Sequence, residues 1–460
     1  MLIFGAILSL LFIVLAARLL IKNYNAQAVL LVVGLMMLAV SMILGTNTGL
    51  VEVSTGTVVF DLFKAIGAAF TTSLSRVGFM IMTIGGYVVY MKHIKASDAL
   101  VYVSMKPLSL FKKYPYLAAI AIIPIGQVLF ICIPSAAGLS LLLVASIFPV
   151  LVSLGVSRLT AASAIAACTV FDIGPSSANT AKAAELAEIS TIGYFVEHQL
   201  PIVVPLTILL VILYYFTSRY FDKRDIAKGK SSFDAAVSQS ELKVDVPLIY
   251  AVLPMLPLML LVVFSKYLDF FGLGIELDTS TAMLISLFIA MLFEGVRKKK
   301  LSDFFDGAKK FWEGAGKIFT DVVTLIVCAE IFAGGLIGLG FIEALVTGAT
   351  HMNLSGSMVG ILIAVIIFMA AMLMGSGNAS FFSFGPLVPN IAKQFGLHTS
   401  DLITPIQLSS SMGRAVSPIA GFMIAISEIA GISSFDLAKR NAIPLVSALI
   451  FMLLYNHFIL

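Results

Sequence analysis

The chain has 460 residues, 60% of them hydrophobic and only 12% charged, with a formal net charge of +4. A soluble domain carries about 25% charge, and a mean hydropathy of +1.05 implies more apolar surface than a soluble core of this size can hide. Lipid must therefore solvate much of the chain. The basic residues stand in short runs between apolar stretches, which suits membrane-side loops and argues against a nucleic-acid surface.

A helix needs about 20 largely apolar residues to cross a bilayer. The first apolar stretch lacks a preceding basic segment, so it reads as a span rather than a cleavable signal. In chain order, full spans are predicted at 2–20, 28–46, 74–91, 198–217, 246–265, 279–296, 321–341 and 441–459. Amphipathic segments at 60–75 (Asp61, Lys64) and 301–319 (Asp303, Lys309, Lys310, Trp312) read as helices lying in the interface or as ordinary loop helices.

Two stretches depart from this pattern. Residues 114–157 and 352–392 carry no charged side chain, and each is about two spans long. Each has a turn-forming centre, Pro134-Ser135-Ala136-Ala137-Gly138 and Gly375-Ser376-Gly377-Asn378. Irregular backbone at membrane depth persists only where protein or a watery cavity covers it. Both are therefore expected to be re-entrant hairpins with buried tips. After each comes a helix broken by a similar cluster: residues 174–180 within a span near 159–190, and residues 409–418 within one near 400–431.

These features recur in one order. Pro175 pairs with Pro418, Glu185 with Glu428, Ser190 with Ser433 and Pro201 with Pro444 at one constant offset, and Ser135 with Ser376 at nearly the same one. The expected fold is all-α and polytopic: two inverted repeats, about ten crossings, two re-entrant hairpins and two broken helices. Repeat 1 spans 1–217, a cytoplasmic linker 218–245, and repeat 2 spans 246–460. Arg219, Lys223, Arg224, Lys228 and Lys230 of the linker, the run Arg297-Lys298-Lys299-Lys300, and Lys22, Lys92 and Lys95 fall on one side of this count. That side is the cytoplasm, with loop 47–57 and both termini outside.

The chemistry should sit where the breaks converge. Half-helix N-termini offer free N–H groups and a partial positive charge to carboxylates, and freed carbonyls can hold a cation. Candidate residues are Ser135 and Gly138; Ser176, Ser177, Asn179 and Thr180; Ser376, Asn378 and Ser380; and Ser411, Arg414 and Ser417. Taken singly, the small residues are equally explained as helix-packing contacts; their doubling in the two halves favours a site. Arg414 stands between uncharged stretches, and an intramembrane arginine is functional by default; its fork can grip a carboxylate. The other readings are a structural pair with Asp172 or snorkelling to an interface. Asp172 is a candidate for carrying a proton or holding a coupling cation, or else a partner of Arg414 or Lys182. Lys182, Glu185 and Glu188 read as an interfacial, solvated group. The glycines between Glu330 and Glu343 read as helix contacts rather than a nucleotide loop.

No metal site is expected. Cys132, Cys168 and Cys328 lie in apolar segments, with spacing for neither zinc nor disulfides, and read as small buried hydrophobes. The five histidines are scattered, and neither His-Glu-x-x-His nor Gly-x-Ser-x-Gly occurs. No enzyme and no organic cofactor is indicated.

The stretches Gly375-Ser376-Gly377-Asn378-Ala379, Met412-Gly413-Arg414-Ala415-Val416-Ser417-Pro418 and Gly86-Tyr87-Val88-Val89-Tyr90-Met91-Lys92-His93-Ile94 resemble the anaerobic C4-dicarboxylate carrier family, DcuC, over nearly the whole chain. More remotely, that family resembles the ion transporter superfamily of homodimeric divalent-anion symporters. The resemblance implies movement of fumarate, succinate, malate or aspartate across a bacterial inner membrane, by exchange or by symport with sodium or a proton. It implies an elevator in which 114–217 and 352–460 travel past a dimeric scaffold of 1–113 and 246–351. It also implies substrate contacts at Ser376, Asn378, Arg414 and Ser417. Asp172 departs from the family pattern and would favour a less acidic substrate or altered coupling. Amino acids or other organic anions are the alternative cargo; a channel or an intramembrane enzyme fits the residues less well.

Overall fold

Polar caps set where the helices of this chain begin. Asn25, Ser135, Ser157, Ser177, Ser190, Asp278, Ser355 and Ser376 each accept a hydrogen bond from a backbone N–H in the first turn that follows, satisfying one of the donors a helix start leaves free. The computed structural model describes residues 2–22, 24–44, 55–106, 114–228, 245–268, 274–299 and 301–458. All secondary structure among them is helical. The predicted loop 47–57 up to residue 54, Lys230 and linker positions 229–244, and Lys300 lie outside the described residues, as does the Asp303 side chain.

Ten described helical runs are long and apolar enough to cross a membrane. The number agrees with expectation, but the membership does not. Pro115–Cys132, Ala136–Ser153 and Gly356–Met374 qualify by length and composition; they are the helices of the two stretches expected to form hairpins. The predicted span 246–265 is a shorter run, Leu248–Val263, whose first part is a 3-10 helix, Leu248–Met255. Pro247, Pro254 and Pro257 each lack a backbone donor there, so a regular α-helix cannot run through.

Three other expectations are corrected. The segment 60–75 is not a separate helix: Val58–Ser73 passes through a π-turn, Leu74–Gly78, into Phe79–His93. Likewise Leu301–Ile318 passes through the π-turn Phe319–Val323 into Thr324–Gly338. The linker does not begin at 218, because helix Leu200–Ala227 continues with Asp222 and Asp225 buried. The helix before the second break continues to Arg414, so the break falls at 415–420 rather than at Ser409.

The element order of the two halves corresponds closely. A long helix with a π-turn is followed by a short helix, Ala96–Met105 or Phe341–His351. Next comes a helix–tip–helix unit, Pro115–Cys132 with Ala136–Ser146 or Gly356–Met374 with Gly377–Phe384. A broken helix follows, Arg158–Ala167 with Ala178–Leu186 or Thr399–Arg414 with Gly421–Ala430. A long helix closes each half, Thr191–Ala227 or Ser434–Phe458.

Packing explains the glycines. A Cβ on Gly335 would lie 2.6 Å from Met37 Cβ, and one on Gly34 would lie 2.8 Å from the Phe332 backbone. Helices Ala26–Ile43 and Thr324–Gly338 therefore meet backbone to backbone, as small residues allow in membranes. Outward faces remain apolar: Phe288, Leu292 and Val296 line up along one helix face and are 58–76% exposed, as lipid-facing side chains should be. The three cysteines are free and buried.

Candidate functional site

Both breaks interrupt their helices inside the core, and side chains stitch them together. In the first break Asp172 sits at φ +49°, a left-handed conformation that Asp and Asn tolerate better than most residues. This turns its carboxylate back onto the following half-helix. Oδ1 accepts from Ser177 Oγ at 2.7 Å and Oδ2 from Asn179 Nδ2 at 2.9 Å. Ser177 also caps that half-helix through the Thr180 N–H. Two residues after Asp172, Gly174 has φ +102°, and a Cβ there would lie 2.7 Å from Ile131 Cγ2. The first break thus presses against the end of the limb leading to the first tip.

Arg414 ends the half-helix Thr399–Arg414, where a cation meets the negative end of the helix dipole. Its Nη2 donates to Thr169 O at 3.0 Å and lies 3.5 Å from Asp172 Oδ2. Its guanidinium stands 5.7 Å from the Phe422 ring centre, across its own break. Arginine and aspartate from opposite halves of the chain therefore form one buried pair, so the structural-pair reading of the two residues describes this conformation. The pair is incompletely satisfied: Arg414 Nε and Asn179 Oδ1 are buried without a hydrogen-bond partner among the described residues. Such unpaired groups are costly in an apolar core.

The second tip joins this pair. A Cβ on Gly377 would lie 2.9 Å from Ser410 O and 3.2 Å from Arg414 Cδ. Gly377, between Ser376 and Asn378 in sequence, therefore lies against the arginine side chain. Ser376 caps the tip helix through Ala379 N, and Ser380 donates to Gly377 O at 2.9 Å. Ser411 and Ser417 are buried. Ser411 Oγ donates to Gln407 O, and Ser417 Oγ accepts from Ile419 N within the break. Ser176 lies buried in the turn before the Ser177 cap. Ser135 and Gly138 hold each other at 3.1 Å in the first tip, whose helix packs against Gly421–Ala430.

Several polar residues of this region escaped the sequence reading. Gln407 donates to Asp172 O at 2.9 Å and accepts from Gln199 Nε2 at 2.9 Å. Gln199 also donates to Thr180 Oγ1 and accepts from Gly174 N, while Tyr194 OH donates to Gln407 Oε1 and accepts from Thr404 Oγ1. In the other half Asn441 donates to Ala415 O. An amide from the helix after each break holds that break. Gln199 and Gln407 stand out as amides in uncharged apolar stretches, which is the signal that could have found them.

Lys182 is also corrected. It is 1% exposed rather than solvated, with Nζ 2.6 Å from Glu185 Oε2 and 2.7 Å from Glu330 Oε1. Arg440, unremarked in sequence, is buried between Asp222 at 2.5 Å and Asp225 at 2.9 Å. Ser157, Thr160 and Tyr116 also donate to Asp222. Among the described residues no group of three His, Cys, Asp or Glu side chains could hold a metal ion.

The chain matches the model of the family described as C4-dicarboxylate anaerobic carrier, DcuC, over residues 4–457. It is 32% identical over 436 residues to the anaerobic C4-dicarboxylate transporter DcuC of Escherichia coli K12, covering 94% of this chain and 92% of that one. It is equally identical, over 439 residues and the same shares, to the probable anaerobic C4-dicarboxylate transporter DcuC of Vibrio cholerae. Two solved transporters share the fold at 12% identity. The YdaH transporter of Alcanivorax borkumensis has a TM-score of 0.61, over 95% of this chain and 99% of that one. MtrF of Neisseria gonorrhoeae, described as illuminating a class of antimetabolite efflux pumps, has a TM-score of 0.62 over 95% and 96%.

Proposed function

This chain belongs to the DcuC family of C4-dicarboxylate anaerobic carriers, and from that premise we propose that it exchanges C4-dicarboxylates, or symports them with a cation, at the Arg414–Asp172 pair. It is a multi-pass membrane transporter of C4-dicarboxylates rather than an enzyme. The reading proposed here adds the site, the cargo and the motion.

One observation carries it: a buried arginine with an unpaired Nε meets two helix breaks and a Ser-Gly-Asn tip. A substrate carboxylate would take the guanidinium bidentately, with Asn378, Ser376 and Ser417 as further donors. The first-half candidates Ser176, Ser177, Asn179 and Thr180 would face the second carboxylate or a coupling cation, with Ser135, Gly138, Ser380 and Ser411 shaping the surrounding tips and turns. Asp172 would take a proton or sodium, or the ammonium of aspartate. That last role favours a second reading, in which an amino acid is the cargo, because the arginine already has a carboxylate beside it. The tips and broken helices form the travelling unit (114–217 and 352–460), and the remainder forms the scaffold. We further propose two inverted repeats with re-entrant hairpins, a homodimer, and residence in the bacterial inner membrane.

The test is counterflow of labelled succinate into proteoliposomes loaded with fumarate, with and without a sodium gradient. Saturable uptake that fumarate and aspartate compete for is expected, and Arg414→Ala should abolish it. Normal transport by Arg414→Ala and Asn378→Ala would refute the site. No uptake by folded, inserted protein would move the cargo to amino acids or other anions.

A further inference from the structure

The seam between the proposed travelling unit and scaffold is crossed by a cluster of four charges. Helix Ala178–Leu186, on the travelling side, contributes Lys182 and Glu185. The scaffold side contributes Glu330, from Thr324–Gly338, and Arg76, from the π-turn Leu74–Gly78. Lys182 Nζ reaches across to Glu330 at 2.7 Å, and Arg76 reaches across to Glu185 at 3.5 Å. Lys182 also holds Glu185 on its own helix at 2.6 Å. Ser73, three residues before Arg76, donates to the other oxygen of Glu330 at 2.5 Å. The lysine is almost fully buried and the carboxylates are mostly so, whereas Arg76 is 65% exposed.

The sign arithmetic of this cluster is unusual. Each side of the seam carries one cation and one carboxylate. If the seam opens, the cluster leaves neither side with net charge. Lys182 already has Glu185 as a travelling partner. Glu330 remains beside the Ser73 hydroxyl, with Arg76 one turn further along the same helix. An unpaired buried charge would raise a large barrier to such a step; exchanging partners avoids it. A π-turn on the scaffold side at this point adds a local irregularity of the kind often found at functional sites. Among the described residues Lys266 and Glu197 also pair across the seam, but both are about half exposed and neither is a buried charge like Lys182, so solvent screens that pair. The Arg440 cluster lies within the proposed travelling unit and its adjoining helix end, and would not be broken by the motion.

We infer that Lys182, Glu185, Glu330 and Arg76 form a partner-exchange latch, paired across the seam in this conformation and paired within each unit once the travelling side moves. The inference rests on the carrier reading above. It adds residues that control the transport rate without touching cargo.

A charge swap separates this from a merely structural bridge. Lys182→Glu combined with Glu330→Lys keeps opposite charges across the seam. It also leaves two carboxylates on the travelling side and two cations on the scaffold side. A structural bridge would be restored by the swap. The latch would be jammed: succinate should still stabilise the purified carrier against heat, while counterflow falls below about a tenth of the unmodified rate, the tenfold or more expected when buried charges must part without partners. Wild-type counterflow in the swapped carrier would overturn the inference. Should the swap not fold, Glu330→Gln serves instead, since Lys182 keeps Glu185. Its exchange rate should change at least about tenfold while KM for succinate stays within about twofold; an unchanged rate would overturn the inference. If unmodified protein neither binds nor exchanges succinate, the carrier reading falls, and the latch with it.

Discussion

Asp172→Asn is the most informative single substitution at the site. Asparagine suits the local backbone, because φ +49° is a conformation it tolerates at least as well as aspartate. Its hydrogen bonds can be kept as well. The amide oxygen can accept from Asn179 Nδ2, and the amide NH2 can donate to Ser177 Oγ once that hydroxyl rotates. What disappears is one negative charge 3.5 Å from Arg414 Nη2. At an effective dielectric of about 20, that attraction is roughly 5 kcal/mol before desolvation is subtracted. Breaking a buried pair typically costs about 3–5 kcal/mol. The lower end applies here, because Thr169 O still accepts from the guanidinium at 3.0 Å. The empty carrier should therefore melt several degrees lower. A bound dicarboxylate would supply the missing charge, so binding should recover part of the loss, and the succinate Kd should tighten about tenfold. Thermal melts of the purified carrier across a succinate titration measure both effects. Coupling to a proton or sodium gradient should weaken in the same variant. If the folded variant binds succinate no better than the parent, Asp172 does not compete with substrate for the arginine, and its role is to order the break.

Two other substitutions test the frame around the site. A Cβ at Gly413 would lie 2.3 Å from Phe368 O and 2.9 Å from Ala371 Cβ, so Gly413→Ala must push helix Thr399–Arg414 off Gly356–Met374. Overpacking of this kind costs about 1–3 kcal/mol; a lowered melting temperature and weakened succinate binding are expected, and unchanged values would show that the two helices separate freely. Arg440→Met leaves Asp222, with no exposed surface, without its cation and Asp225 with only Arg224, 3.9 Å away. A loss of about 3–5 kcal/mol should appear as poor yield and early melting, with the succinate Kd of the surviving protein unchanged; an altered Kd would place Arg440 in the transport machinery instead.

Much of the architecture was legible from one sequence because lipid makes a severe rule. Backbone groups in hydrocarbon must be satisfied within a helix, so long uncharged runs announce helices and clusters such as Gly375-Ser376-Gly377-Asn378 announce breaks. The same rule made Arg414 conspicuous, since a charge between two uncharged stretches needs a reason. Turn-residue clusters also marked the two broken helices, and the expected total of about ten crossings matches the number of long apolar helices, though not their membership. The clusters misjudged where the second break falls, because serines at 409–411 can bond their own helix carbonyls and stay helical, as Ser410 and Ser411 do with Gln407 O.

Other features depended on contacts between residues far apart in sequence. Lys182 reads as a solvated interfacial residue in sequence because only Glu185 and Glu188 stand near it in the chain; its burial follows from Glu330, 148 positions away, meeting it across a helix contact. The Asp172–Arg414 pair and the amides Gln199 and Gln407 likewise draw on both halves of the chain. Asp222 looked like linker until Arg440 was placed against it. Local sequence decides whether a segment can be a helix in lipid, because hydrophobicity, capping and backbone hydrogen bonding act within a few turns. Which buried charge finds a partner depends on how the helices pack, because Coulomb attraction and desolvation depend on distance and burial in space, and only the tertiary structure supplies those.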